Sequence, residues 1–569
     1  MTNQESHLSS ITATILFGVS RQVFCADRHC YYDSDYLLLK LMSFLTPHSP
    51  KIKLWAFFIG SCVALSAKMA APNFVLVYID DLGWADTSVE MIEGRENTRS
   101  DFYQTPHLQG MADRGMVFSD AYAPAPVCTP SRNAMLHGMT PARMLNSTLN
   151  TDRWSKEYRG KITIPQALKL ANPDYVTAHF GKWHIPAMKP SDAGYDVTEK
   201  EKGTGNGEGD YLDDMRTHLP EDDPKRLFSL TQMTKDFISE QADVERPFFV
   251  QLSHYSVHIW HDSLKETREK YRALPRPLKA VDSDYLPDDA IPDFKHNWLL
   301  NYAAMIEDTD RSFGDLLDHI EALGIDDNTY VIFTSDNGGG LRGNAPLQGA
   351  KGDLTEGGIR IPLVVCGPGV PEGQYCSVPT AGWDWLPTLY QLAGGKAPLP
   401  KELDGVSIAD TFTLGDAAVV ERPGDALIFH FPWYNGEPES SIRRGDFKLL
   451  KNLDTQAIAL YRLSEDISEK YDLKSSYPEM AASLEQQMME YLDSVGAEDV
   501  NQLRAGFLKN IEGEWLSRAE ARADSNRVAA AAGNAQAQQQ LAEAEKYIKW
   551  LKQEAIFTRE RMAMSQGAR

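Results

Sequence analysis

Residues 73–81, NFVLVYIDD, are apolar at nearly every position and close on two acids. A run apolar at both odd and even positions predicts a strand covered on both faces. The pattern recurs in DYVTAHFGKWH (174–184) and RPFFVQLSHYSVH (246–258), each a strand running into a loop. It recurs again in TYVIFTSDNGG (329–339) and RIPLVVCGPG (360–369). Between them the spacing turns helical. TPHLQGMADRGMVF begins with Thr105 as expected N-cap and Pro106 at the first helical position. Residues 297–324 predict a long helix ended by Gly324, and DWLPTLYQLAG (384–394) another helix. Strands alternating with helices predict an α/β fold with a large, mostly parallel sheet sandwiched by helices.

After about residue 415 the apolar runs shorten. DALIFHFPW, SSIRRGDFKLLKN and AIALYRLSED predict a small antiparallel sheet, with a helix over 477–495 upon it. From about 500 the chain is rich in Ala, Glu, Gln and Arg and reads as continuous helix. Such an extension packs on the body, self-associates into a homo-oligomer, or stands as a solvated tail. At the other end, Lys51 and Lys53 precede an apolar run from Leu54 to Ala67, the pattern of a signal peptide. Met42 is the natural start for it. The expected division is therefore an upstream extension (1–41), an export segment (42–71), an α/β domain (72–415), a small α+β domain (416–499) and a helical extension (500–569). IGSC, ending at Cys62, also resembles a bacterial lipidation site. The expected location is periplasmic or secreted, with no integral membrane span.

Composition narrows the partners. A net charge of -23 argues against nucleic acid, whose phosphates require neutralisation by Lys and Arg. An anionic substrate then needs a local basic pocket. The six cysteines, Cys25, Cys30, Cys62, Cys128, Cys366 and Cys376, are too few for a disulfide framework in 569 residues. Cys366 and Cys376 are expected as two buried thiols, with a bridge as the alternative.

The predicted strand ends carry the chemistry. In open parallel sheets, sites form at the carboxyl edge. Asp80 and Asp81 follow one strand; His179, Lys182 and His184 follow another; His254 and His258 follow a third; Asp336 and Asn337 follow a fourth. One strand-end aspartate is usually a helix cap. Three carboxylates and an amide, beside glycines, form a hard oxygen set suited to Ca²⁺, with Mg²⁺ the lesser fit. Arg132, Lys182, His184, His258 and Lys351 supply cations for a tetrahedral oxyanion. Cys128 opens the predicted helix CTPSRNAML, where backbone N–H groups favour negative charge. It reads as a thiolate nucleophile or as a small buried hydrophobe.

Cys128, Pro130 and Arg132 in CTPSR resemble the C-x-P-x-R signature of the type I formylglycine-dependent sulfatases. YIDDLGWAD, HFGKWH, SHYSVH, TSDNGG, GAKGDLTEGGIRIPLVV and LDGVSI resemble the family in the same order, over roughly 72–495. The resemblance implies an alkaline-phosphatase-like fold. It implies that Cys128 is oxidised by a formylglycine-generating enzyme and hydrated to a geminal diol. One hydroxyl attacks sulfur and the alcohol leaves; the second hydroxyl expels sulfate. Asp80, Asp81, Asp336 and Asn337 are then the Ca²⁺ ligands, with residue 128 beside them. Asp336 activates the diol and Arg132 polarises it. Lys182 and Lys351 bind sulfate together with His258, which is also the general acid. His184 assists elimination. His179 and His254 fall outside the chemistry. Here VHIWHD replaces the family's usual histidine followed closely by proline, so His261 is the alternative to His258. LHGMTPARM departs from the commoner run after the signature.

Export and acidity point to a sulfated polysaccharide or its oligosaccharides as substrate. The loop 201–214, the segment 261–296 and the aromatic residues Trp260, Trp433 and Tyr434 are candidate pocket elements. Two rivals are a formylglycine-dependent phosphodiesterase or phosphonate monoester hydrolase, and an inactive glycan-binding protein.

Overall fold

Eight strands form the principal sheet, in the order β5-β4-β6-β1-β7-β8-β2-β9. They are β1 (Asn73–Ile79), β2 (Met116–Phe118), β4 (Val176–Gly181), β5 (Val197–Thr198), β6 (Phe248–Ser253), β7 (Thr329–Ser335), β8 (Leu363–Cys366) and β9 (Gln374–Cys376). β3 (Ala121–Tyr122) pairs instead with β10 (Thr380–Ala381). The structure is a computed structural model that describes residues 71–147, 160–185, 188–199, 221–259, 261–275, 292–340, 344–432 and 437–567. The export segment, Cys62, the loop 201–214, Trp260, Trp433 and Tyr434 lie outside these residues.

β1 is the centre of the sheet. Val75 sits beside Val250 of β6 and Val331 of β7, both parallel. All seven β1 residues are buried. Alternation sends them to two cores. Val75, Val77 and Ile79 pack with Leu230 and Phe237 of α4 (Leu227–Asp243) and Phe313 and Leu316 of α6 (Pro292–Ala322). Phe74, Leu76 and Tyr78 face the other way, into a core shared with Met135, Leu168 and Leu389. Those three lie on α2 (Cys128–His137), α3 (Ile164–Ala171) and α7 (Trp385–Leu392). The remaining helices of this region are α1 (Pro106–Asp113) and α5 (Lys265–Ala273).

β8 runs against both β7 and β2. Among its described residues, the segment joining β7 to β8 holds only the four-residue helix Glu356–Ile359. Parallel return requires a crossover, usually a full helix, so the chain comes back antiparallel. Thr105 does precede α1, but its hydroxyl pairs with Ser88. Asp310 of α6 caps α1 instead, accepting from the N–H groups of His107 and Leu108 at 2.9 and 2.8 Å.

A second sheet of β11 (Leu427–Phe431), β12 (Glu439–Arg444), β13 (Phe447–Asn452) and β14 (Ile458–Arg462) is antiparallel throughout. Ile442, Leu449 and Leu460 bury against Leu484, Met488 and Leu492 of α8 (Pro478–Val495). α9 (Val500–Asn510) continues through a π-helical turn into α10 (Leu516–Ala531), and α11 (Ala535–Gly567) returns along it. The extension is no free tail. Arg504 forks onto Asp454 at 2.5 and 2.8 Å, and Arg561 reaches the same carboxylate at 3.1 Å. Cys366 and Cys376 are both free thiols. No described helix is long and apolar enough to cross a membrane.

Candidate active site

β4, β6, β1 and β7 are neighbours and parallel, so their carboxyl ends meet at one edge. α2 starts there. Cys128 Sγ lies 3.5 Å from Asp80 Oδ1 and 4.0 Å from Asp81 Oδ1. Ligand atoms of Asp80, Asp81, Asp336 and Cys128 all fall within 4.8 Å of one another, and all four residues are buried. The backbone is bent to achieve this. Asp81 has φ 63, held by a bond from its N–H to Asp336 Oδ1 at 3.1 Å. A non-glycine residue there costs about 1–2 kcal/mol, a conformation typical of functional sites. Gly181, at φ 91, precedes Lys182; a Cβ there would lie 2.0 Å from the Ser253 carbonyl oxygen.

Cations enclose the sulfur. Lys182 Nζ donates to Asp80 Oδ2 and lies 3.4 Å from Sγ. Lys351 Nζ is 2.6 Å from Asp81 Oδ1 and also 3.4 Å from Sγ. Arg132 Nε donates to Asp336 Oδ2 at 2.8 Å, Nη1 to the Lys182 carbonyl at 3.0 Å, and its guanidinium lies over the Tyr78 ring. Burial raises Asp80, but Lys182, His258 and Arg132 outweigh it and hold the carboxyl well below its usual range. Asp81 is likewise lowered, burial being overcome by Lys351 and His258. Asp336 goes the other way, to about 6, through burial and the charge of Asp80 against the pull of Arg132. Burial and Asp336 push the Cys128 thiol far up. That disfavours a thiolate nucleophile.

The donor set fits a hard cation. Asn337 Nδ2 donates to Asp81 Oδ1 at 2.8 Å, while its own Oδ1 is buried with no hydrogen-bond partner. A buried orphan amide oxygen beside three carboxylates is a ligand atom in want of an ion.

The histidines separate. His258 Nε2 lies 3.8 Å from Asp81 Oδ2, and Nδ1 sits 2.6 Å from the Ile259 carbonyl oxygen, so the ring is oriented toward the cluster. Burial lowers it to about 4 despite Asp80 and Asp81. His261 rests on the Tyr302 ring, centroids 5.0 Å apart. His184, at φ 52, leaves Nδ1 buried without a hydrogen bond, and burial with Lys182 and Arg132 holds it well below the usual histidine range. His179 packs between Trp183 and Tyr195, and His254 is enclosed in the core.

Two contributors escape sequence reading. Ser131 Oγ donates to the Asp336 carbonyl oxygen, fixing α2 to the end of β7. Lys225 is fully buried and donates to the His258 carbonyl oxygen at 2.7 Å. DDPKR reads as a solvated turn, and nothing in its pattern signals a buried lysine.

The sulfatase family model matches residues 72–395. A sulfatase from Formosa agariphila is 28% identical over 539 residues, covering 79% of this chain and 91% of its own. N-acetylgalactosamine-6-sulfatase from Homo sapiens is 30% identical over 389 residues, covering 63% of this chain and 69% of its own. The crystal structure of Ps i-CgsB in complex with k-i-k-neocarrahexaose superposes with a TM-score of 0.57 at 25% identity, covering 74% of this chain and 93% of that one. The fold is thus alkaline-phosphatase-like, and three carboxylates and three cations about the cysteine of a C-x-P-x-R segment stand at its sheet edge. The chain belongs to the sulfatase family, enzymes that hydrolyse sulfate esters.

Proposed function

We propose that this sulfatase releases sulfate from a sulfated polysaccharide or its oligosaccharides, using formylglycine made from Cys128 beside a bound Ca²⁺. One observation carries the reading: the ammonium groups of Lys182 and Lys351 both stand 3.4 Å from Cys128 Sγ, with Arg132 and Asp336 alongside. A sulfuryl group seated at residue 128 meets cations on two sides, where charge develops as the ester is cleaved. That one relative is an N-acetylgalactosamine-6-sulfatase, and that the similar Ps i-CgsB was crystallised with k-i-k-neocarrahexaose, supports a glycan substrate.

Asp80, Asp81, Asp336 and the Asn337 amide oxygen would hold the ion, with residue 128 at its edge. Bound there, the ion supplies Lewis acidity. The hydrated aldehyde supplies two hydroxyls on one carbon, one to attack sulfur and one to expel sulfate. Arg132 holds that group in place, and Asp336, 2.8 Å from the guanidinium, accepts its proton. Lys182 and Lys351 grip the sulfuryl oxygens. His258, with Nε2 turned toward the cluster, gives a proton to the departing oxygen from its imidazolium form, which the bound anionic ester favours against burial, and His184 assists the elimination. The protein is exported and matured by a formylglycine-generating enzyme.

The test is sulfate release, read by ion chromatography, from carrageenan, ulvan, fucoidan, heparan and chondroitin fragments. The enzyme is coexpressed with a formylglycine-generating enzyme, with Cys128→Ala alongside. Release from one glycan, lost in the variant, is expected. Release from aryl sulfates but from no glycan overturns the substrate class. Chelation followed by reloading with Ca²⁺ or Mg²⁺ identifies the ion.

A further inference from the structure

The geometry points to Lys225 as a positioning residue for His258, set by a short turn that braces two loops of the active site. The inference rests on the reading of His258 as proton donor to the leaving oxygen.

The turn Pro224–Arg226 places two consecutive non-glycine residues in the left-handed region, Lys225 at φ 56 and Arg226 at φ 57. Left-handed backbone suits glycine or Asn, and two adjacent long side chains there persist only where surroundings impose it. The surroundings are visible. Asp223 Oδ1 accepts from the Phe228 N–H at 2.8 Å, fixing where α4 begins. From that anchor the two cations diverge. Lys225 turns inward, is fully buried, and donates from Nζ to the His258 carbonyl oxygen at 2.7 Å. Arg226 pairs with Glu199 Oε1, and Glu199 Oε2 accepts from the Gly181 N–H at 3.3 Å, one residue before Lys182. One three-residue turn therefore reaches both the histidine loop and the lysine loop.

The histidine loop needs a tie at that end. Its near side is stitched to the end of β1, by Asp80 N–H to the Ser256 carbonyl oxygen at 2.8 Å and Val257 N–H to the Asp80 carbonyl oxygen at 2.6 Å. Those bonds to β1 stop at Val257, and the His258 N–H is held within the loop by the Tyr255 carbonyl oxygen at 3.2 Å. Beyond Val257, the His258 carbonyl oxygen is fixed by Lys225, and the ring by its contact with the Ile259 carbonyl oxygen. A peptide that pivots at residue 258 swings the imidazole. Burial lowers Lys225 to about 7, and a buried lysine nitrogen, charged or neutral, is costly unless such a bond is made. Proton transfer requires the donor within hydrogen-bond reach of the departing oxygen, so loss of this tie weakens the acid while Lys182 and Lys351 still grip the sulfuryl oxygens.

The discriminating measurement is leaving-group dependence. Enzyme with converted Cys128 is assayed on aryl sulfates from 4-nitrophenyl to 4-methoxyphenyl, as wild type, Lys225→Met, Lys225→Gln, His258→Ala and the Lys225→Met/His258→Ala double variant. Good leaving groups depart without a proton; poor ones need it. Lys225→Met is expected to lower kcat on 4-methoxyphenyl sulfate by about tenfold more than on 4-nitrophenyl sulfate, a part of the roughly 10²-fold scale of general-acid catalysis. KM should hold. Lys225→Gln, which retains a donor, should recover part of the loss, and the double variant should be no steeper than His258→Ala. A parallel drop on every ester, or none, overturns the role of Lys225. If Lys225→Met does not fold, the slope of Lys225→Gln decides. Wild-type enzyme that turns over no sulfate ester defeats the underlying reading itself.

Discussion

Serine at position 128 separates the two halves of the proposed reaction. A serine hydroxyl attacks sulfur but leaves no second hydroxyl on the same carbon to expel sulfate. Cys128→Ser is therefore expected to stop after one event and retain one covalent sulfate per chain, seen by intact mass; Cys128→Ala should retain none. An unlabelled serine variant counts against attack from this position. Asp336 carries a second expectation. Its carboxylate holds Arg132 at 2.8 Å and the Asp81 N–H at 3.1 Å, so Asp336→Asn disturbs the base, the guanidinium and a left-handed backbone together. Loss of 10²- to 10³-fold in kcat, on the order of that for removing one preorganised group, is expected together with a lowered unfolding midpoint, because Arg132 loses its buried counter-charge. Most of these residues were legible because each follows an apolar strand, and the strand end dictates where the side chain arrives. The surroundings of His258 and His261 were not: three residues apart in one loop, they meet different tertiary neighbours, His261 the Tyr302 ring and His258 the Asp81 carboxylate. Lys225 was illegible for the same reason, since its burial comes from α4 and a left-handed turn rather than from local apolar pattern.

At the scale of elements, the central strands were readable wherever both faces are covered, because residues such as Phe74 and Val75 are apolar regardless of which core they meet. Direction was not readable for β8, whose apolar run is the same in either sense and whose reversal follows from the lack of a crossover helix. Helix α1 shows the limit most sharply. Its start was marked by Thr105 and Pro106, yet the groups that bond its first N–H donors come from Asp310, some two hundred residues away. A cap from another helix leaves no local trace. It also makes α1 and α6 interdependent. Asp310→Ala is expected to destabilise the protein by about 1–2 kcal/mol, the range for loss of an N-cap, measured by chemical denaturation. Sulfatase activity of the folded fraction should be unchanged, since neither helix end reaches the cysteine. A neutral effect on stability shows that water replaces the cap.

At the scale of the whole molecule, the two sheets are joined by buried charge rather than by apolar contact alone. Lys448 of β13 lies 2.8 Å from Glu356 and 2.9 Å from Glu469, and Arg360 lies 2.8 Å from Glu356. Arg443 of β12 and Arg360 share Asp120, at 2.5 and 3.1 Å. Glu356 follows Lys351 by five residues, so the small sheet steadies the segment that carries a sulfate-binding lysine. Removing one member leaves uncompensated buried charge, and Lys448→Met is expected to cost about 3–5 kcal/mol. The same network sets the acid limit of the fold. Burial raises Asp120, but Arg360 and Arg443 prevail and lower it to about 2. A carboxyl depressed in the folded state contributes stability above its unfolded value near 4, and that contribution disappears as pH falls from about 4 through 2. That contribution is on the order of 2 kcal/mol. Urea titrations at stepped pH should therefore show wild-type stability falling across that window. Asp120→Asn should start lower at neutral pH and fall less steeply between pH 4 and 2. Parallel curves for the two proteins would place the acid sensitivity elsewhere and leave Asp120 as a packing residue.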